Sequence, residues 1–137
     1  MRDISISLDT NIWIFGILQT KPACIKILQS LSQFDVILPN QVRLELERNL
    51  SPKTKKLFYQ IAEVYQVCID TAPVPKHFVH LFYKLGLKKG DAEIGAFCQW
   101  RKIDIFISEN RDFLRGLAQG HNFKVMPPKT FCESYLA

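Results

Sequence analysis

The sequence has no run approaching the roughly 18 apolar residues that a membrane-spanning helix requires, and its opening stretch, MRDISISLDT, lacks the apolar centre of a secretion signal. These absences predict a cytoplasmic protein with no membrane association. There is no CxxC pair either: Cys24, Cys68, Cys98 and Cys132 lie far apart, which argues against a zinc site and against a dense disulfide framework. Three of them sit among apolar neighbours, where a free thiol behaves as a small buried hydrophobe, as expected in a reducing compartment. Neither GxGxxG nor the GxxxxGK-Ser/Thr loop occurs, so nucleotide binding by those routes is unsupported. With no internal repeat, low-complexity segment or linker, residues 1–137 are expected to form a single domain.

What remains is the composition of an ordinary globular chain, 47% apolar and 23% charged. At 137 residues it is long enough to bury about two-thirds of its unfolded surface. The net charge of +5 and pI near 9.1 point to an anionic partner. Cations gather at Lys53, Lys55 and Lys56, at Lys84, Lys88 and Lys89, and at Arg101 and Lys102. Any one cluster reads equally well as a solvated face; together they favour a polyanion.

Apolar and small residues alternate from Ile4 to Leu8, a strand that delivers Asp9 at its carboxyl end. Helices are expected over Ile12–Leu18 and, after Pro22, over Ala23–Leu31. Val36–Leu38 reads as a buried strand closed by Pro39, followed by a helix over QVRLELERNL. On a helical wheel Val42, Leu46, Asn49 and Leu50 share a stripe; Glu45 lies on its flank and Glu47 points further away, so Glu45 is the acid that faces inward. Ser51-Pro52 should open a helix reaching Val64. Tyr65–Ile69 reads as a strand or as the tail of that helix, and Lys76–Leu85 as a helix ended by Gly86.

From Lys88 to Phe113 the chain reads KKGDAEIGAFCQWRKIDIFISENRDF: a helix over Asp91–Lys102, a strand over Ile103–Ile107, and a polar cluster leaving that strand. A helix over Arg111–Ala118 stopped by Gly120, a strand over Phe123–Met126 and a helix over Pro127–Leu136 complete the chain. Alternating strands and helices predict an α/β fold, a three-layer α/β/α sandwich with a central, mostly parallel sheet.

In such sheets ligands bind beyond the carboxyl ends of the strands. Asp9, Glu45, Asp91, Asn110 and Asp112 all fall within a turn or two of that rim. Singly, Asp9, Asp91 and Asn110 are more simply explained as helix caps, and Glu45 is harder to explain so; the coincidence of these four at equivalent ends is the stronger signal. Converging carboxylates repel unless a cation lies among them, and a donor set of oxygen alone suits Mg²⁺ or Mn²⁺. One or two such ions could activate a water and offset charge on a phosphodiester.

The order LDTNIWI, LPNQVRLEL, KKGDAEIGAFC and IFISENRDF resembles a PIN domain over essentially the whole chain. That resemblance implies a metal-dependent ribonuclease cleaving single-stranded RNA, with Asp9, Glu45 and Asp91 as the first three acids and Ser108 as the small hydroxyl before the fourth position. Asn110 stands where many members carry Asp; it offers a neutral carbonyl oxygen, and Asp112 is placed to share its role, which puts a second metal site in question. The resemblance further implies a homodimer and an antitoxin partner. Ser108, Lys88, Lys89 and Arg111, with Arg115 nearby, are the expected substrate-binding residues. Trp13 and Phe113 are candidates to stack a base, although core packing is the commoner use of such aromatics.

Two other phosphate-handling folds fit less well. A haloacid-dehalogenase-like phosphatase needs an acid at position 11, which is Asn here. A receiver domain needs paired acids after the first strand and a phosphoacceptor after the third. The alternative from a different class is a catalytically weak or inactive module that binds RNA or a protein partner.

Overall fold

Short apolar segments bounded by polar turns become five strands: β1 (Ser5–Leu8), β2 (Asp35–Pro39), β3 (Cys68–Asp70), β4 (Ile105–Ile107) and β5 (Lys124–Met126). The structure, a computed structural model, describes residues 3–116 and 122–136. The strands form one sheet in the order β3-β2-β1-β4-β5, and every pairing is parallel. Ile6 lies opposite Val36 on one side and Ile105 on the other. β1 and β4 are buried throughout, as central strands covered on both faces must be; β3, at an edge, is not.

The helices are α1 (Thr10–Ile17), α2 (Pro22–Gln29), α3 (Asn40–Asn49), α4 (Pro52–Val64), α5 (Lys76–Lys84), α6 (Lys89–Trp100), α7 (Arg111–Gly116) and α8 (Pro128–Tyr135), with a 3₁₀ turn at Leu31–Gln33. α1 packs on α2 and α4, α2 on α8, and α5 on α6, while α3 touches both α1 and α6. The expected sandwich is thus the observed one. Ser51 caps α4 through its side chain, with Pro52 in the first turn. Among the described residues no helix is long and apolar enough to cross a membrane.

Several boundaries differ from the sequence reading. The ambiguous stretch 65–69 divides, α4 stopping at Val64 and β3 starting at Cys68. α6 begins at Lys89, so Asp91 lies inside its first turn and Lys88 is the cap residue. The expected extension of α7 to Ala118 and Gly120 lies outside the described residues.

Four helices end in the same way. After α5 the chain turns left-handed at Gly86 (φ 100°), the Gly86 N–H donates to the Tyr83 carbonyl, and the Leu87 N–H reaches back to Phe82. This is the paired closure of a Schellman motif. Gln19, Gln66 and Lys102 repeat it after α1, α4 and α6, with φ of 56°, 54° and 55°.

Close helix contact depends on Gly16, where α1 meets α2. A Cβ there would lie 2.5 Å from Leu28 Cδ1 and 3.0 Å from the Cys24 carbonyl oxygen. The side chain can move but the carbonyl cannot, so overpacking outweighs alanine's helix preference of up to about 1 kcal/mol. Gly16→Ala is expected to lower the unfolding free energy by about 1–3 kcal/mol in urea denaturation.

Candidate active site

In the order β3-β2-β1-β4-β5 the connections reverse direction between β1 and β4, which opens a crevice at their carboxyl ends. Asp9 leaves β1 there and Ser108 leaves β4. The Asp9 N–H donates to the Ile107 carbonyl at 3.0 Å, and the Ser108 hydroxyl donates to Asp9 Oδ2 at 2.6 Å. The other carboxylate oxygen accepts the Thr10 N–H at 2.8 Å, so Asp9 is also the N-cap of α1. Capping and a place at the rim are one arrangement here.

Thr10 ties the first acid to the second, because its hydroxyl donates to Glu45 Oε1 at 2.6 Å. Gln41 Nε2, one turn earlier on α3, donates to Glu45 Oε2 at 2.9 Å. Glu47 turns away and pairs with Tyr59 and Lys55, as the helical wheel suggested. Gly90 explains how α6 comes so near α3: a Cβ at that position would stand 3.1 Å from Glu45 Oε2. The positive end of α6 consequently faces two acids, Glu45 and its own Asp91.

Asn110 Nδ2 donates to Asp91 Oδ2 at 3.0 Å, while its Oδ1 accepts the Asp112 N–H at 2.9 Å and its backbone carbonyl accepts Leu114 N–H. Asn110 therefore caps α7 and steadies Asp91, using one lone pair of its oxygen for the cap. Ser108 is fully buried, with its hydroxyl directed at Asp9 and accepting the Asn110 N–H, instead of facing solvent to meet a substrate.

A cleft of about 420 Å³ is lined by Asp9, Glu45, Asp91, Asn110, Thr10 and Asn11 together with Phe15, Lys21, Asn49 and Glu109. Asp112, Lys88, Lys89 and Arg111 are exposed beside it and do not line it; the side chain of Arg115 lies outside the described residues. Trp13 and Phe113 are buried, at 0% and 1% exposure, and are not available to stack a base. Thr10, Gln41 and Lys21 were missed in the sequence. Thr10 had a visible signal, its place beside Asp9; Lys21 had none.

Burial raises the Asp9 carboxyl from 3.8 to about 6, against the opposing bonds from Ser108 and Thr10 and with help from the Asp91 and Glu45 charges. Asp91 is also raised, chiefly by burial, with Asn110 opposing and Glu45 and Asp112 adding to it. The acids therefore sense one another across the cleft. Among the described residues no three His, Cys, Asp or Glu side chains form a group that could hold a metal ion as they stand. The donor chemistry nonetheless fits a hydrated hard ion, which keeps several waters and takes only one or two direct carboxylates. Asp9, Glu45 and Asp91 are the residues able to hold it.

A parallel α/β/α sandwich with acids gathered at the switch point of its sheet belongs to the α/β proteins that work at the carboxyl rim. The chain is a member of the PIN domain family, whose model matches residues 6–116; PIN domains are generally nucleases. Solved structures with the same fold include VapBC2 from Rickettsia felis bound to a promoter DNA fragment, at TM-score 0.66 and 16% identity over 90% of this chain and 98% of that one. A toxin–antitoxin complex from Klebsiella pneumoniae matches at TM-score 0.64 and 18% identity, covering 90% of this chain and 97% of the other. FitAcB from Neisseria gonorrhoeae matches at TM-score 0.59 and 20% identity, covering 90% and 98%. No curated protein matches the sequence.

Proposed function

We propose that the protein is an endoribonuclease that cleaves phosphodiester bonds of single-stranded RNA with Mg²⁺ or Mn²⁺, and that it is the toxin of a toxin–antitoxin pair. The observation that carries this reading is the meeting of Asp9, Glu45 and Asp91, from three distant segments, in one cleft where burial and mutual repulsion push Asp9 up to about 6. Asp9, Glu45 and Asp91, with the Asn110 carbonyl oxygen as a further donor in this proposal, would hold a divalent ion, which when bound would supply a Lewis acid to offset the charge of the phosphodiester and acidify water.

The protein's own residues then have defined tasks. Ser108 and Thr10 hold both oxygens of Asp9, so the carboxylate cannot swing. Thr10 and Gln41 do the same for Glu45, and Asn110 aims Asp91. Asp112 adds negative charge beside Asp91 from outside the cleft, while Lys88, Lys89 and Arg111 lie at its margin as contacts for the flanking RNA. An antitoxin partner is supported by neighbours that are toxin–antitoxin complexes; a homodimer and a cytoplasmic location complete the proposal.

Purified protein is expected to cut single-stranded RNA with Mn²⁺, to stop in EDTA and to resume when metal is restored. Loss of a group that only supports a metal ligand costs roughly 10–100-fold, so Asp91→Asn or Glu45→Gln should cost about 100-fold or more. Cleavage that ignores the chelator would refute the metal reading. A second reading has one specific support, the use of Asn110 as a cap and as a donor to Asp91: a weakly active or inactive module that binds RNA or a protein. It predicts RNA binding with no cleavage in any metal.

A further inference from the structure

The cleft presents a problem for an RNA substrate, because Asp9, Glu45, Asp91 and Glu109 all repel phosphate. Among the described residues that line it, Lys21 is the one cation. Its backbone is extended (φ −130°, ψ 121°), as Pro22 requires of the residue before it, which fixes where the side chain starts. The ammonium lies 4.2 Å from the centroid of the Phe15 ring and 2.9 Å from Glu109 Oε1.

We propose that Lys21 is the phosphate-contacting residue of this cleft, and that Glu109 holds its ammonium until an RNA phosphate takes the carboxylate's place. The inference rests on the reading of the cleft as an RNA-cleaving site. Both partners are partly exposed, at 46% and 39%, and an ion pair so screened by water is weak enough to exchange. Phe15 attracts the cation through its ring face and keeps it at the cleft mouth when Glu109 lets go. The pair joins the start of α2 to the polar turn after β4, so the cation lines the same cleft as Asp9 and Asp91. Lysine recognises phosphate here as a point charge, with no demand on base identity.

The test is binding of a labelled single-stranded RNA by fluorescence anisotropy in EDTA, over a KCl series that begins at low salt. Lys21→Ala should bind several-fold more weakly and lower the slope of log affinity against log salt by about 0.7, the loss of one contact to a single strand. Lys21→Arg should retain the slope, and Glu109→Gln should bind more tightly because the competing carboxylate is gone. Thermal melts should coincide for all variants, since both side chains are partly exposed. An unchanged affinity and slope in Lys21→Ala, or weaker binding by Glu109→Gln, would overturn the proposal. A reduced slope in a protein that never cleaves RNA with Mn²⁺ would leave the phosphate contact standing and remove the nuclease reading. Cleavage with an unchanged slope would do the opposite.

Discussion

Asp9→Asn is expected to reduce metal-dependent cleavage by about 100-fold or more, since removing even a supporting group at a metal site costs about 10–100-fold, and at the same time to make the metal-free protein more stable above neutral pH. Asparagine caps a helix as well as aspartate does: its oxygen keeps the Thr10 N–H, and its amide N–H, like the protonated acid's O–H, donates to the Ser108 hydroxyl with that bond reversed. In the fold the Asp9 carboxyl is raised from 3.8 to about 6, so the folded state prefers its protonated form. That preference contributes fully below about pH 4 and is lost as pH rises through about 6. Above that, ionised Asp9 opposes folding, by up to about 3 kcal/mol at a pH where it is fully charged. Urea denaturation in EDTA should give coincident midpoints for the two proteins near pH 4, with the variant ahead near pH 8. Mn²⁺ should then raise the wild-type midpoint and leave the variant almost unmoved. A wild-type protein equally stable at both pH values relative to Asp9→Asn would contradict the raised Asp9 carboxyl.

The second large effect belongs to the core. Trp13 is fully buried and meets Phe58 edge-on at 5.3 Å between ring centroids, joining α1 to α4. Trp13→Ala removes most of that contact and leaves a cavity, a change that costs about 3–5 kcal/mol. Trp13→Phe should cost much less. Among the described residues the buried indole N–H has no hydrogen-bond partner, and removing such a donor offsets part of the lost packing. Circular dichroism in urea distinguishes the two: a shift of midpoint for alanine well beyond that for phenylalanine, with similar slopes, is the expected result.

These residues also show what can be read from sequence. Asp9 and Asp91 were legible because one follows a strand and the other lies in the first turn of a helix, and Glu45 because its place on the flank of an apolar stripe follows from helical geometry. Ser51-Pro52 and Gly86 marked element ends through their own backbone preferences. Gln19, Gln66 and Lys102 end helices in the same left-handed geometry without glycine, so nothing local announced them. β3 is short and partly exposed, and its pairing with β2 is a tertiary fact. Trp13 lies in an apolar helical stretch, where core is the commoner use of an aromatic, and its contact with Phe58 of α4 shows it to be core. The links that organise the cleft, Ser108 to Asp9 and Lys21 to Glu109, join positions 99 and 88 residues apart. No pattern of neighbours encodes them.

The bond between Ser108 and Asp9 also has a consequence for how the protein comes into being. A chain growing on the ribosome presents Asp9 first, and the hydroxyl that fastens it is added 99 residues later. The strand carrying that serine must emerge and dock beside β1 before the cleft exists. The arrangement of Asp9 at the rim is therefore incomplete until β4 has been made and has paired with β1.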